Sequence, residues 1–258
     1  MNAAPALVRL AWTEKGQGEP LVLIMGLNAP GSAWQPHVDQ WSHAYRCLLV
    51  DNRGAGSSPA PPGPYTTAMM ADDYAQLIDE LQLGPCRVVG ISMGGAIAQE
   101  LALRRPDLVE RLVLVATWAA GDPYTRQVLS VIDAVRQAVD EPTFSAHLQT
   151  LVWTPAWFAA HEAELVAARR EPLAVGRAAL SAQVAACRSH DTRDRLSQIR
   201  VPTLVTAGGA DRFIPPAVSI ALADGLPDAR LELFADTGHV HHWEELARFN
   251  DRVEEFLT

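Results

Sequence analysis

Short apolar runs, each stopped by a glycine, an acid or a serine, constrain this chain more than any other feature. Leu21 to Met25 ends at Gly26, Cys47 to Val50 at Asp51, Arg87 to Ile91 at Ser92, Arg111 to Ala116 near Trp118, and Thr203 to Ala207 at Gly208. Leu7 to Trp12 before them and Leu231 to Phe234 after them read as the first and last strands. A strand apolar at consecutive positions has no face to give to water, so these runs belong to a sheet covered on both sides, which means a mostly parallel one. Helical spacing fills the intervals: Met69 to Leu83, Gly95 to Arg104 closed by Pro106, Ala217 to Leu226, and Trp243 to Leu257. Strands alternating with crossover helices predict an α/β fold, its central sheet flanked by helices.

The alternation stops from about Ala119 to Leu196, where only helical patterns occur. That is too long for a crossover. Pro123, Pro142, Pro155 and Pro172 are each expected to end or kink a helix, so the segment should be several short helices capping the carboxyl edge of the sheet. The expected organisation of the 258 residues is a core of 1–118 and 196–258 with a helical cap inserted at 119–195. Trp153, Trp157 and Phe158 in the cap either pack on the core or line a pocket.

Composition excludes several partners. Net charge is −9, from 21 basic and 30 acidic residues, so nucleic acid, which needs a basic face, is not an expected partner. The apolar runs are far below the ~18 residues of a membrane span. Met1-Asn2-Ala3-Ala4-Pro5 shows no basic, then apolar, export pattern. The three cysteines, Cys47, Cys86 and Cys187, are widely spaced and odd in number, which reads as reduced core thiols in a cytoplasmic protein. A homodimer is left open.

The chemistry concentrates in Gly90-Ile91-Ser92-Met93-Gly94-Gly95, where a strand turns directly into a helix. A serine lifted on so sharp a turn needs small neighbours on both sides and stands at the positive end of the following helix. The plainer reading is a glycine-rich turn that happens to hold a serine. A phosphate loop is excluded because no Lys-Ser or Lys-Thr follows. A serine hydroxyl is inert without a base, and the base with its orienting acid should lie at other strand ends. Asp211, in Gly208-Gly209-Ala210-Asp211, and His239, in Asp236-Thr237-Gly238-His239, both do. Gly54-Ala55-Gly56-Ser57-Ser58 begins like a dinucleotide fingerprint, but Pro59 replaces the third glycine and no helix follows, so no nicotinamide or other cofactor is expected. His239-Val240-His241-His242 could suggest a metal, but successive side chains diverge and no second ligand cluster is evident; His241 and His242 read as solvated or supporting groups, with no metal.

In these motifs the chain resembles the α/β-hydrolase superfamily, over nearly all of its length outside the cap. Leu21-Val22-Leu23-Ile24-Met25-Gly26-Leu27 is similar to the family's oxyanion strand and loop, and Asp51-Asn52-Arg53-Gly54-Ala55-Gly56-Ser57-Ser58 to its Asp-x-Arg-Gly-x-Gly-x-Ser turn. The Gly238-His239 pair and the order Ser, Asp, His agree too. The resemblance implies a triad of Ser92, Asp211 and His239, with an oxyanion hole from the backbone N–H groups of Leu27 and Met93. It departs at Met25, where most relatives place a histidine that holds the loop. Asp122 is a rival acid, because some relatives draw theirs from that position; Asp211 is preferred for its strand-end context. Asp51 and Arg53 read as a buried structural pair.

A serine at the elbow argues against dehalogenase and epoxide hydrolase chemistry, which needs a carboxylate nucleophile. Carboxyl esters or lactones are the expected substrates, and the chain resembles enol-lactonases, aminoacrylate hydrolases and methylesterases. A carbon–carbon bond hydrolase, a cofactor-free perhydrolase and a ligand-binding protein on the same scaffold remain alternatives. Trp118, Trp153, Trp157, Phe213 and Ile214 would bring apolar bulk to the site, favouring small to medium, largely apolar acyl or cyclic substrates over strongly anionic ones.

Overall fold

The computed structural model describes residues 7–258; the expectation drawn from Met1 to Pro5 lies outside them. In chain order the elements are β1 (Trp12–Lys15), β2 (Glu19–Ile24), α1 (Gln35–Trp41), β3 (Tyr45–Val50), α2 (Thr67–Glu80), β4 (Cys86–Ile91), α3 (Met93–Arg104) and β5 (Val109–Val115). There follow α4 (Pro123–Ala138), α5 (Glu141–Val152), α6 (Pro155–Ala160), α7 (Glu162–Ala168) and α8 (Arg177–Ser189), then β6 (Thr203–Gly208), α9 (Pro216–Gly225), β7 (Ala229–Phe234), α10 (His241–Glu244) and α11 (Leu246–Leu257). The strands form one sheet in the order β1-β3-β2-β4-β5-β6-β7, with only the β1–β3 pair antiparallel.

The pleat explains why the runs are apolar throughout. Val22, Ile24, Leu48, Val50, Leu112 and Leu114 enter the core beneath α2, α3 and the inserted helices, while Leu21, Leu23, Cys47, Leu49, Val113 and Val115 enter the other, against α1 and α11. Each such buried side chain is worth roughly 1.5–3 kcal/mol. Neither face can be polar.

Some boundaries differ from expectation. Leu7 to Ala11 is not a strand, because Val8 N donates to Asp73 Oδ1 at 2.9 Å and Ala11 N to Ser58 Oγ at 2.8 Å, side chains in place of a neighbouring strand. The helix predicted over Trp243 to Leu257 is two, broken at Glu245, where φ is −121° and ψ 54°. The α1 helix is additional. Between β5 and β6 lie five α-helices and, among the described residues, no strand. Pro123, Pro142 and Pro155 do not break these helices but begin them, standing in the first turn after caps Asp122, Asp140 and Thr154. An N-terminal turn leaves its N–H groups unbonded, so proline loses nothing there.

Candidate active site

Between β4 and α3 the backbone of Ser92 takes φ 54° and ψ −117°, a conformation that costs a non-glycine residue on the order of 1–3 kcal/mol. The surroundings impose it. Ser92 N donates to Val115 O at 2.8 Å and Thr117 Oγ1 to Ser92 O at 2.8 Å, fixing the turn against β5. A Cβ at Gly94 would strike the Ile24 carbonyl, and one at Gly90 the Gly94 carbonyl. The turn closes only with glycine at both places, and it lifts Ser92 into a cavity at the carboxyl edge of the sheet.

His239 and Asp211 meet at the same edge. His239 Nδ1 lies 2.7 Å from Asp211 Oδ2, both side chains buried. Asp211 Oδ1 accepts from Phe213 N at 2.8 Å and Ile214 N at 2.9 Å, so the carboxylate is aimed at the ring by its own loop. The Phe213 ring packs on His239 at 4.6 Å between centroids. With Nδ1 committed to the acid, Nε2 is the nitrogen left for chemistry. Ser92 and His239 both line the cavity, and their side chains are not hydrogen-bonded to each other. Such contacts are often loose before substrate binds. Asp122, the rival acid, instead caps α4, its Oδ1 accepting from Thr125 N at 2.6 Å.

The loop after β2 passes beside the serine. Asn28 has φ 65°, and three tethers hold the turn: Asn52 Nδ2 donates to Met25 O at 2.7 Å, Gly31 N to Asp51 Oδ1 at 2.8 Å, and Asn28 N to Gln183 Oε1 of α8 at 3.3 Å. The Asp-x-Arg-Gly turn is thus what supports the loop in the presence of Met25. Asp51 and Arg53 are not a pair: Asp51 also accepts from Ser57 N at 2.8 Å, while Arg53 reaches Asp73 of α2 at 2.7 Å in a buried ion pair. Among the described residues, the amides of Leu27 and Met93 bond to no protein acceptor.

The cavity has a volume of about 160 Å³. Leu27, Ser92, Phe213 and His239 line it; Trp118, Trp153, Trp157 and Ile214 do not. Trp118 is buried away from it, its carbonyl accepting from Gln99 Nε2 at 3.0 Å and its ring edge-on to His190. Trp153 and Trp157 stack on each other at 3.7 Å, and His161 stacks on Trp157 at 3.7 Å. Ile214 gives its amide to Asp211, and Met93 is fully buried and does not line the cavity. Leu148 and Val152 of α5, Asn28, His242 and Trp243 are among its other lining residues. Leu148 and Val152 sit four apart on one helix face, a spacing the sequence displays.

Glu244 ties the start of α6 to the histidine loop, accepting from Thr154 N at 2.9 Å and Gly238 N at 3.1 Å. His241 and His242 are not solvated, since α10 turns both into the core on Phe249. Burial pushes the His241 ring down to about 3. Among the described residues no cluster of three His, Cys, Asp or Glu side chains is arranged to hold a metal.

This elbow, loop and histidine arrangement on a mostly parallel sheet defines a class. The chain matches the alpha/beta hydrolase fold family over residues 19–246 and belongs to it. It is 32% identical over 245 residues to a Variovorax paradoxus protein named as a carbamate hydrolase, RutD, covering 93% of this chain and 92% of that one. A hydrolase crystal structure from Pseudomonas aeruginosa superposes with a TM-score of 0.89 at 32% identity, covering 97% of this chain and 94% of that one. The enol-lactonase of Burkholderia xenovorans LB400 does so with a TM-score of 0.89 at 27% identity, covering 97% and 96%.

Proposed function

We propose that this member of a hydrolase family cleaves carboxyl esters or lactones of small, largely uncharged molecules through a Ser92–His239–Asp211 triad. The observation that carries the reading is the strained Ser92 opening into the same cavity as a histidine whose other nitrogen is 2.7 Å from a buried aspartate. Ser92 Oγ attacks the carbonyl carbon as His239 Nε2 takes its proton; Asp211 holds the ring and balances its charge. The carbonyl oxygen, now an oxyanion, faces the N–H groups of Leu27 and Met93. One such donor is worth ~2.7–4 kcal/mol in the transition state. His239 returns the proton to the leaving alcohol, and water, activated by the same ring, releases the acid from the acyl-enzyme.

The α4–α8 segment acts as the cap, with Leu148 and Val152 as its contribution to the cavity wall. The relatives named as enol-lactonase and carbamate hydrolase support hydrolysis at a carbonyl carbon. A cytoplasmic setting suits the three cysteines, all free and buried; burial pushes the thiols of Cys47 and Cys86 up to about 12. No described helix is long and apolar enough to cross a membrane. The test is turnover of p-nitrophenyl esters and simple lactones. Ser92→Ala should lose at least about 10³-fold in kcat with its circular dichroism unchanged. More than a tenth of parental activity would overturn the triad.

A further inference from the structure

One wall residue has chemistry that the hydrolytic mechanism does not use. The His242 side chain is 1% exposed, lines the cavity, and has no hydrogen-bond partner at either ring nitrogen. Its neighbours are rings: His37 stacks on it at 5.2 Å, with Trp34 at 5.7 Å and Trp243 at 5.8 Å. If the position only filled aromatic space, phenylalanine would serve without the penalty of burying two unpaired nitrogens. His37 and His241 show the contrast, since each has a ring nitrogen bonded, to Asn250 Oδ1 at 2.6 Å and Thr206 Oγ1 at 2.9 Å. A second unpaired polar atom, the buried Oδ1 of Asn28, belongs to another residue of the same wall.

We propose that His242 is a polar subsite of this cavity, hydrogen-bonding an uncharged hydroxyl or amide group on the ring-sized part of the ligand that fills it. The proposal deepens the reading of the cavity as the substrate site and rests on it. Size sets the first limit: about 160 Å³ takes roughly one six-membered ring, as apolar cavities of about 150 Å³ take benzene. Charge sets the second. The lining includes no Asp, Glu, Lys or Arg, and desolvation, reinforced by His37, His241 and His239, holds the His242 ring well below the ordinary histidine range. A neutral imidazole offers one donor and one acceptor, which is what a hydroxyl or amide can use and a carboxylate cannot use fully. Asn28 Oδ1 adds an acceptor, so a ligand group able to donate is preferred over a bare carbonyl.

Phenol and toluene have the same shape and differ by one hydroxyl. Their dissociation constants, measured on the intact protein by NMR titration of the Leu148 and Val152 methyl signals, give a hydroxyl preference. That preference should fall by about fivefold in His242→Phe, the worth of one neutral hydrogen bond, and recover partly in His242→Gln. In the wild-type protein, phenol should shift the His242 ring-nitrogen signals and toluene should not, a readout that stands if His242→Phe does not fold. An unchanged preference in His242→Phe, an equal response of the ring nitrogens to both probes, or no binding of either would overturn the proposal. Neither probe is hydrolysed, so failure here is distinct from failure of the triad, which ester turnover reports.

Discussion

Two aspartates follow strands at the carboxyl edge of the sheet, and their hydrogen bonds separate them. Asp122 accepts from Thr125 N in the first turn of α4 and is exposed; Asp211 is buried, held by two amides and facing the His239 ring. Asp122→Ala should therefore cost about 1 kcal/mol of stability, as loss of an N-cap does, and leave ester turnover within about twofold. Asp211→Asn should lower kcat by about 10³–10⁴-fold with little change in stability, because the amide no longer holds the imidazole in the required tautomer. Urea unfolding and kinetics on the pair check both, and a larger kinetic loss in Asp122→Ala would reverse the assignment. In the sequence Asp122 is a candidate through the family resemblance and Asp211 through its strand-end context; the N-cap role of Asp122 is not legible there, because it depends on where α4 begins.

The elbow was the most legible element, because Gly90 and Gly94 are demanded by backbone contacts that sequence pattern already implies. The sheet was legible for the same kind of reason: alternate residues of each run enter different cores, so every position had to be apolar. The pocket was not. Aromatic bulk near the site suggested Trp118, Trp153 and Trp157, yet large rings satisfy themselves by stacking wherever the helices bring them, and α5 supplied Leu148 and Val152. Nor did sequence show that α8 reaches the loop after β2. Gln183 is fully buried, accepts from Asn28 N and donates to Arg53 O at 3.0 Å, joining α8 to the loop that carries Leu27. Gln183→Ala should lower kcat by about tenfold, roughly one hydrogen bond's worth of positioning, with KM changed less. Equal losses through KM alone would mean that the tether serves binding and not the oxyanion loop.

For the molecule as a whole, buried neutral histidines set an acid limit on stability. Burial lowers His37 and His190 from 6.5 to about 4, and His241 to about 3. In the unfolded chain these rings take up protons near pH 6.5, while in the folded protein they stay neutral, so acid favours unfolding. Stability is fully present above about pH 6.5 and falls as pH drops toward 4. The loss by pH 5 should be on the order of 2 kcal/mol or more, seen as a lower urea midpoint than at pH 7; an equal midpoint would show that these rings find protonated forms in the fold. The proposed hydrolysis by an activated serine is open to direct chemical trapping. A fluorophosphonate, which modifies only an activated serine, should add once per chain at Ser92, located by peptide mass spectrometry, and His239→Ala should abolish the addition. An unmodified chain, or modification at a serine other than Ser92, would contradict the account.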